Sequence, residues 1–317
     1  MAVPKQIAVA RNAMATRFEI VAYGDHEASV RAAGEEALNE IQRIEAQLSL
    51  YRPDSEIAHL NARAARDWVR VSPEVFRLLE QAAYLSSKTA GAFDITIAPL
   101  VRCWGFIGGQ GQQPTPEAIE QARQTVGMHL VELDPENFAV RFRRPGVMLD
   151  FGAIGKGHAI DKAAELLREE GITSAILHGG TSTVCAIGKP PDQPSWKVAV
   201  EAPPEAEDTQ PKPLAVVELH EEAFSVSAVW GKSFSRGGKT FGHIIDPRTG
   251  HPADYADLAA IVLPSATETD ALSTALLTMG PSGQDTIARL RPNCRSLVVK
   301  FLDGNSSQIQ TRGIEIV

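Results

Sequence analysis

Residues 265–280, Ser-Ala-Thr-Glu-Thr-Asp-Ala-Leu-Ser-Thr-Ala-Leu-Leu-Thr-Met-Gly, constrain the fold of this chain more than any other stretch. Ser265 and Glu268 have the Ser-x-x-Glu spacing of a capping box, in which each side chain bonds the other residue's backbone N–H. Ala271, Leu272, Ala275 and Leu276 supply an apolar stripe, so the spacing predicts a helix packed on a core. Asp270 and Thr274 fall one turn apart on one face. A carboxylate and a hydroxyl so placed can hold one edge of a magnesium ion, which takes a few protein oxygens together with phosphate and water. The same spacing also describes an ordinary solvated helix face.

Upstream, Thr-Phe-Gly-His-Ile-Ile-Asp-Pro-Arg-Thr-Gly at 240–250 reads as a strand end, His243-Ile244-Ile245, feeding a turn. Pro247 fixes φ there and Gly250 permits a positive φ. His243 beside Asp246, Arg248 and Thr249 sets a proton acceptor next to anion-binding donors. With the Asp270/Thr274 pair, the combination points toward phosphate chemistry.

Residues 147–161, Val-Met-Leu-Asp-Phe-Gly-Ala-Ile-Gly-Lys-Gly-His-Ala-Ile-Asp, predict a strand, a glycine-rich turn and a helix with Ile160, Ala163, Ala164 and Leu167 inward. Gly152, Gly155 and Gly157 permit backbone approach, a helix start favours an anion, and Lys156 adds a full positive charge. The spacing matches neither a Walker A loop nor a Gly-x-Gly-x-x-Gly dinucleotide fingerprint. A tight strand-to-helix connection would use the same residues.

Elsewhere, periodicity predicts strands at Gln6–Ala10 and Arg17–Tyr23, a long helix from Glu27 to about Ser49, and a helix capped by Ser72 with Pro73 in its first turn. Met14, in the break between the two strands, suits either a core plug or a flat aromatic ring. Tyr51 heads the polar loop after the long helix, placed to cover a planar ligand or to cap the core with its hydroxyl in water. Ala92-Phe93-Asp94 starts with tiny residues that allow close approach, and the run to Leu100 alternates like a strand. Asp94 needs a hydrogen-bond partner there, either a backbone turn or the N–H of a heterocycle. Gly105–Pro114 reads as a mobile surface loop, 115–126 as a helix capped by Thr115, and 131–133 with 139–142 as a hairpin. Strands follow at 174–177, 183–187, 196–200, 214–219, 223–226, 258–263 and 297–301, with a turn at Asp303-Gly304. Residues 202–213, rich in Pro and acids, read as a disordered surface insertion.

At 317 residues the chain can bury a large core, as one domain over 1–317 or as two interwoven subdomains. A net charge of −8 and the lack of a Lys/Arg cluster argue against nucleic acid or an anionic membrane as the main partner. Cys103, Cys185 and Cys294 are widely spaced and outside any Cys-x-x-Cys motif, so they read as core thiols. The N-terminus has no long apolar leader, and no stretch reaches the roughly 18 apolar residues of a membrane span. The expected location is the cytoplasm.

Assembled in order, these motifs resemble the FAD:protein FMN transferase family, the ApbE-like flavin transferases. The match runs from Met14-Ala15-Thr16 through Leu48–Asn61, Thr89–Leu100 with Trp104-Gly105-Phe106, Asp150–Asp161, Gly179-Gly180, His243–Gly250 and Asp270–Thr274. The resemblance implies an α+β (mixed α/β) single globule of T-fold-like architecture, with mixed, largely antiparallel sheets packed by helices. It implies FAD as substrate, Mg2+ as cofactor, and protein flavinylation: FMN moves to a Thr/Ser hydroxyl of an acceptor flavoprotein through a phosphoester bond, and AMP is released. It places Met14, Tyr51, Ala92, Phe93 and Asp94 around FAD and Lys156 near its phosphates. It places the Ala153 carbonyl, Asp270 and Thr274 on the metal, together with Ser273. His243 is then the acceptor of the hydroxyl proton, and Asp246 orients the turn. Two departures stand out: Ser227-Ala228-Val229-Trp230 where the family usually shows Ser-Gly-Asp-Tyr, and Thr181 where an acid or amide is usual. A magnesium-dependent FAD pyrophosphatase yielding FMN and AMP, or a non-catalytic FAD-binding protein, would use the same residues.

Overall fold

The first hairpin follows from apolar alternation. Strands β1 (Lys5–Ala13) and β2 (Thr16–Gly24) pair antiparallel, with Phe18, Ile20 and Ala22 buried on one face. The structure, a computed structural model, describes residues 4–203, 213–302 and 306–316. Helix α1 (Glu27–Leu48) then turns Leu38, Ile41, Ile44 and Leu48 inward. Helix α2 (Glu56–Arg63) starts at Ser55, strand β3 (Val69–Arg70) follows, and α3 (Pro73–Lys88) starts at Ser72, whose hydroxyl accepts from the Val75 N–H.

The strand expected after Asp94 is instead a 3-10 turn, Ile95–Ile97, running into α4 (Ala98–Cys103). The Asp94 carboxylate accepts the Thr96 N–H at 2.8 Å, and Pro99 occupies the first turn of α4, where a missing N–H costs nothing. The 105–114 loop is tied down: the Gly111 N–H donates to the Gly105 carbonyl at 3.0 Å and that of Gln112 to Trp104 at 2.9 Å. Helix α5 (Pro116–Arg123) begins at Thr115, and β4 (Val131–Asp134) with β5 (Ala139–Phe142) joins β3 in a three-stranded sheet. Val147–Asp150 joins no sheet. The Asn61 side chain replaces a neighbouring strand, donating to the Leu149 carbonyl at 3.0 Å and accepting its N–H at 2.8 Å.

The second half runs α6 (Gly155–Glu169), β6 (Ala175–Gly179), β7 (Thr183–Ile187), β8 (Trp196–Glu201), β9 (Pro213–Leu219) and β10 (Ala223–Ala228). It continues with β11 (Ser233–Arg236), β12 (Lys239–Gly242), β13 (Leu258–Leu263), α7 (Ala266–Met279), α8 (Gly283–Leu290), β14 (Arg295–Leu302) and β15 (Ser306–Arg312). Residues 204–212 of the expected insertion and the Asp303-Gly304 turn lie outside the described residues.

The central sheet has the order β1-β2-β6-β7-β10-β13-β14-β15, with every neighbouring pair antiparallel. One face carries the main core with α1, α6 and α7. The other is covered by the β8–β9 ribbon, which packs Trp196, Val200 and Val217 against Ile176, Phe224 and Val262. A third apolar cluster, Leu100, Trp104, Ile119, Val126 and Ile245, gathers α4, α5 and the chain entering the 246–250 turn. Leu272, Leu276 and Leu277 of α7 are fully buried, each contributing about 1.5–3 kcal/mol. Among the described residues no helix is long and apolar enough to cross a membrane.

Candidate functional site

The site begins where two helices touch. A Cβ at Gly157 of α6 would lie 2.1 Å from the Ala266 carbonyl oxygen and 2.9 Å from the Asp270 Cβ, so α6 and α7 meet at backbone distance. Asp161, just over a turn further along α6, caps α7. Its carboxylate accepts the Ala266 N–H (2.8 Å), the Thr267 N–H (2.9 Å), the Thr267 hydroxyl (2.6 Å) and the Ser265 hydroxyl (2.8 Å). The expected capping box therefore forms by half. Ser265 Oγ accepts the Glu268 N–H at 3.3 Å, but the Glu268 carboxylate turns to the Arg291 guanidinium.

This junction buries Asp270, so the reading of a solvated face fails: its side chain is only 6% exposed. Asp270 Oδ2 accepts the Gly157 N–H at 3.0 Å, and Oδ1 faces the Lys156 ammonium at 3.3 Å. Lys156 Nζ also reaches the Gly152 carbonyl at 3.4 Å, in the turn that continues through Ala153. The Ser273 and Thr274 hydroxyls lie over the Asp270 carbonyl at 3.0 and 3.4 Å. From β10, Ser227 Oγ closes the group at 2.9 Å from Ser273 Oγ and 3.1 Å from Thr274 Oγ1. One carboxylate, three hydroxyls and a turn carbonyl are hard oxygen donors of the kind magnesium takes. The Lys156 ammonium set between Asp270 and the Gly152 carbonyl marks this oxygen cluster as one that attracts a cation. Among the described residues no three His, Cys, Asp or Glu side chains converge as a metal cluster of that kind.

Asp150 stands at the mouth of the same turn, accepting the Gly152 N–H at 2.8 Å, and its own N–H donates to the Ile95 carbonyl at 2.7 Å. Burial pushes its carboxyl above the ordinary value, although the charges of Lys156 and Lys232 pull the other way. Those two lysines also act on His243, whose pKa is lowered, chiefly by burial. The His243 Nδ1 lies 3.1 Å from the Lys232 carbonyl oxygen, which assigns the proton to Nδ1 and leaves Nε2 as an acceptor. Gly231 makes room for the ring, since a Cβ there would sit 3.0 Å from its Cε1, and Phe106 meets it edge-on at 6.4 Å.

Asp246 faces Arg248 rather than His243. Its carboxylate accepts the Arg248 N–H (2.9 Å) and a two-pronged guanidinium (2.9 and 2.7 Å), and Arg248 donates onward to the Thr278 carbonyl of α7. Ala92 is fixed to the same helix, its carbonyl accepting the Thr278 hydroxyl at 2.9 Å. Phe93 is buried, and Asp94 is satisfied within the protein by the Ser86 hydroxyl, the Thr96 N–H and hydroxyl, and the Met128 N–H. Tyr51 stands out into solvent, 69% exposed. Met14 and Ala15 form the β1–β2 turn with φ of 50° and 58°, and the Met14 N–H is held by the Glu45 carboxylate at 2.6 Å. Two non-glycine residues in this region carry backbone strain, which collects at functional sites.

The structure thus joins Lys156, Asp270, Ser273 and Thr274 directly, with Ala153 in the adjoining turn. Four residues that sequence reasoning left out of the site belong beside them: Asp150, Asp161, Ser227 and Lys232. Asp150 carried a signal in its Asp-x-Gly spacing, which makes an Asx turn. Asp161 and Ser227 carried none, because their partners are about a hundred and about fifty residues away in sequence.

Residues 14–298 match the ApbE family. The chain is 32% identical over 286 residues to the FAD:protein FMN transferase of Treponema pallidum, covering 86% of this chain and 78% of that protein. It is 30% identical over 286 residues to the FAD:protein FMN transferase of Haemophilus influenzae, covering 87% and 81%. Its fold superposes on the ApbE protein of Thermotoga maritima with a TM-score of 0.85 at 27% identity, over 96% of each chain. The flavinyl transferase ApbE of Pseudomonas stutzeri in its apo form superposes with a TM-score of 0.83 at 27% identity, over 99% and 96%. With the motifs of residues 14–298 set in this fold, the chain belongs to the ApbE family.

Proposed function

We propose that this chain is a magnesium-dependent FAD:protein FMN transferase that moves FMN from FAD to a Thr/Ser hydroxyl of an acceptor flavoprotein and releases AMP. The observation that carries the reading is the pairing of two features. Asp270, Ser273, Thr274 and Ser227 form a partly buried oxygen cluster, and the neutral imidazole of His243 shares its charged neighbour Lys156 with that cluster.

Asp270, Ser273, Thr274 and the Ala153 carbonyl are the groups that would hold the metal, which when bound neutralises the pyrophosphate and polarises the phosphoryl oxygens. Lys156, at the start of α6, binds the phosphates through its ammonium group. His243 Nε2 accepts the proton of the acceptor hydroxyl while that oxygen forms its bond to the FMN phosphorus. The bond between that phosphorus and the bridging oxygen breaks, and AMP departs with the bridging oxygen. Asp246 holds the 246–250 turn through Arg248 and so fixes the segment that carries His243. The exposed Tyr51 ring and the Met14 thioether cover the flavin, and the turn secured by Asp94 forms the wall at Ala92 and Phe93. The whole chain acts as one domain, with the α4–α5 cluster as its second, interwoven part.

The test is incubation of the protein with FAD and Mg2+, with and without a Thr-containing acceptor flavoprotein domain, read by intact mass and nucleotide analysis. Acceptor gaining FMN with stoichiometric AMP is the expected result. Free FMN and AMP with unmodified acceptor would replace the proposal by a pyrophosphatase, and intact bound FAD by a binding protein.

A further inference from the structure

We propose that the β11–β12 hairpin is the surface on which the acceptor protein docks, and that the segment it receives is acidic; this rests on the transferase reading above. The two strands form a sheet of their own, with no third strand beside them among the described residues. Their edges therefore offer backbone groups to an extended segment. The turn is Gly237-Gly238, with φ of 58° and 77°, the geometry of a tight hairpin that two glycines adopt without strain. A Cβ on either glycine would meet nothing within 4 Å, so the tip stands clear of the body.

One face of the hairpin is anchored and the other is free. Phe234 and Phe241 stack at 5.2 Å and pack on Trp104 and Phe106. Gly111 leaves the room for this, since a Cβ there would fall 2.2 Å from a Phe234 ring carbon. Ser233, Ser235 and Thr240 are exposed on the free face, while Arg236 shares the face of Phe234 but is exposed beside the Gly237-Gly238 tip. Strand β12 runs straight into His243, whose N–H returns to the Lys232 carbonyl at 2.9 Å. A segment laid along this hairpin is thus delivered to the imidazole.

Charge selects the partner. The chain has 39 acidic against 31 basic residues, yet 231–242 contains Lys232, Arg236 and Lys239 and no acid. An acidic segment is repelled by most of the surface and attracted here, which steers encounter and fixes register.

The test compares the native protein, Arg236→Glu and Arg236→Lys in FMN transfer at varied acceptor concentration, with FAD affinity measured separately and all three proteins checked for fold by circular dichroism. Reversing the charge should raise the acceptor KM about five- to tenfold with kcat and FAD affinity unchanged, Arg236→Lys should restore it, and the native KM should rise with salt. An unchanged acceptor KM in folded Arg236→Glu overturns the proposal, as does a change confined to FAD affinity. Direct binding of the acceptor domain to native protein and Arg236→Glu, without FAD, separates the two readings. Weakened binding with no transfer by native protein sinks the transferase and keeps the docking surface, whereas equal binding sinks the docking surface alone.

Discussion

Asp161 on α6 accepts both the backbone N–H and the hydroxyl of Thr267 on α7, at 2.9 and 2.6 Å, and so caps a helix to which it does not belong. Removing it by Asp161→Ala leaves the first N–H groups of α7 without their acceptor. The expected cost is about 2–4 kcal/mol in urea unfolding, the sum of a lost helix cap and a lost charged hydrogen-bond set. Asp161→Asn, which keeps one acceptor oxygen, should lose less; equal losses would refute the capping role.

Gly157→Ala places a methyl group 2.1 Å from the Ala266 carbonyl oxygen, and neither helix backbone can yield cheaply. Stability should fall by about 1–3 kcal/mol. Activity should fall further, because separating α6 from α7 also separates Lys156 from Asp270. A variant of native stability would show that the helices tolerate displacement.

Asp270→Asn keeps the volume and one acceptor but removes the charge that faces Lys156. Magnesium-dependent turnover should drop by at least about a hundredfold while circular dichroism stays native. Turnover with unchanged magnesium dependence would refute the assignment of Asp270 to the cation.

Burial holds His158, His178 and His243 below the ordinary histidine value of 6.5. Below about pH 6.5 the unfolded chain binds protons that these folded imidazoles refuse, so their stabilising contribution is complete above that pH and lost as it falls toward the folded values. The urea midpoint should therefore drop between pH 7.5 and 5.5. The acid limb of kcat/KM should lie below 6.5 and change in His243→Gln; a limb above 6.5 would contradict the lowered pKa.

The Cys185 and Cys294 thiols are pushed up to about 12 by burial, and Cys103 is raised for the same reason to a lesser degree. At pH 8 in native conditions Cys185 and Cys294 should resist iodoacetamide, with any labelling confined to Cys103, and all three should react in denaturant. Labelling of Cys185 in the folded protein would contradict the packing of β7.

Local signals carried well into the structure. The strand, helix and cap at Phe18–Ala22, Glu27–Leu48 and Ser72–Pro73 were legible because each is decided by neighbours in sequence. Alternation after Asp94 predicts a strand, although Asp94-x-Thr96 and Pro99 spell a turn entering a helix, and the local capping chemistry wins. Val147–Asp150 looked like a strand because it is extended, but its partner is the Asn61 side chain, which periodicity cannot announce. Residue type and spacing draw attention to Asp270, Thr274 and Lys156, which the fold sets side by side, whereas Ser227 and Asp161 need the fold that brings β10 and α6 against α7.

The backbone contact at Gly157 divides the molecule mechanically. With no side chain between α6 and α7, the two helices meet at backbone distance and the Gly157 N–H ties the Asp270 carboxylate to that contact. The β11–β12 hairpin is anchored by aromatic rings on one face alone and ends in a free glycine tip. On the proposed docking reading, any adjustment to the shape of an acceptor falls to the hairpin rather than to the α6–α7 junction.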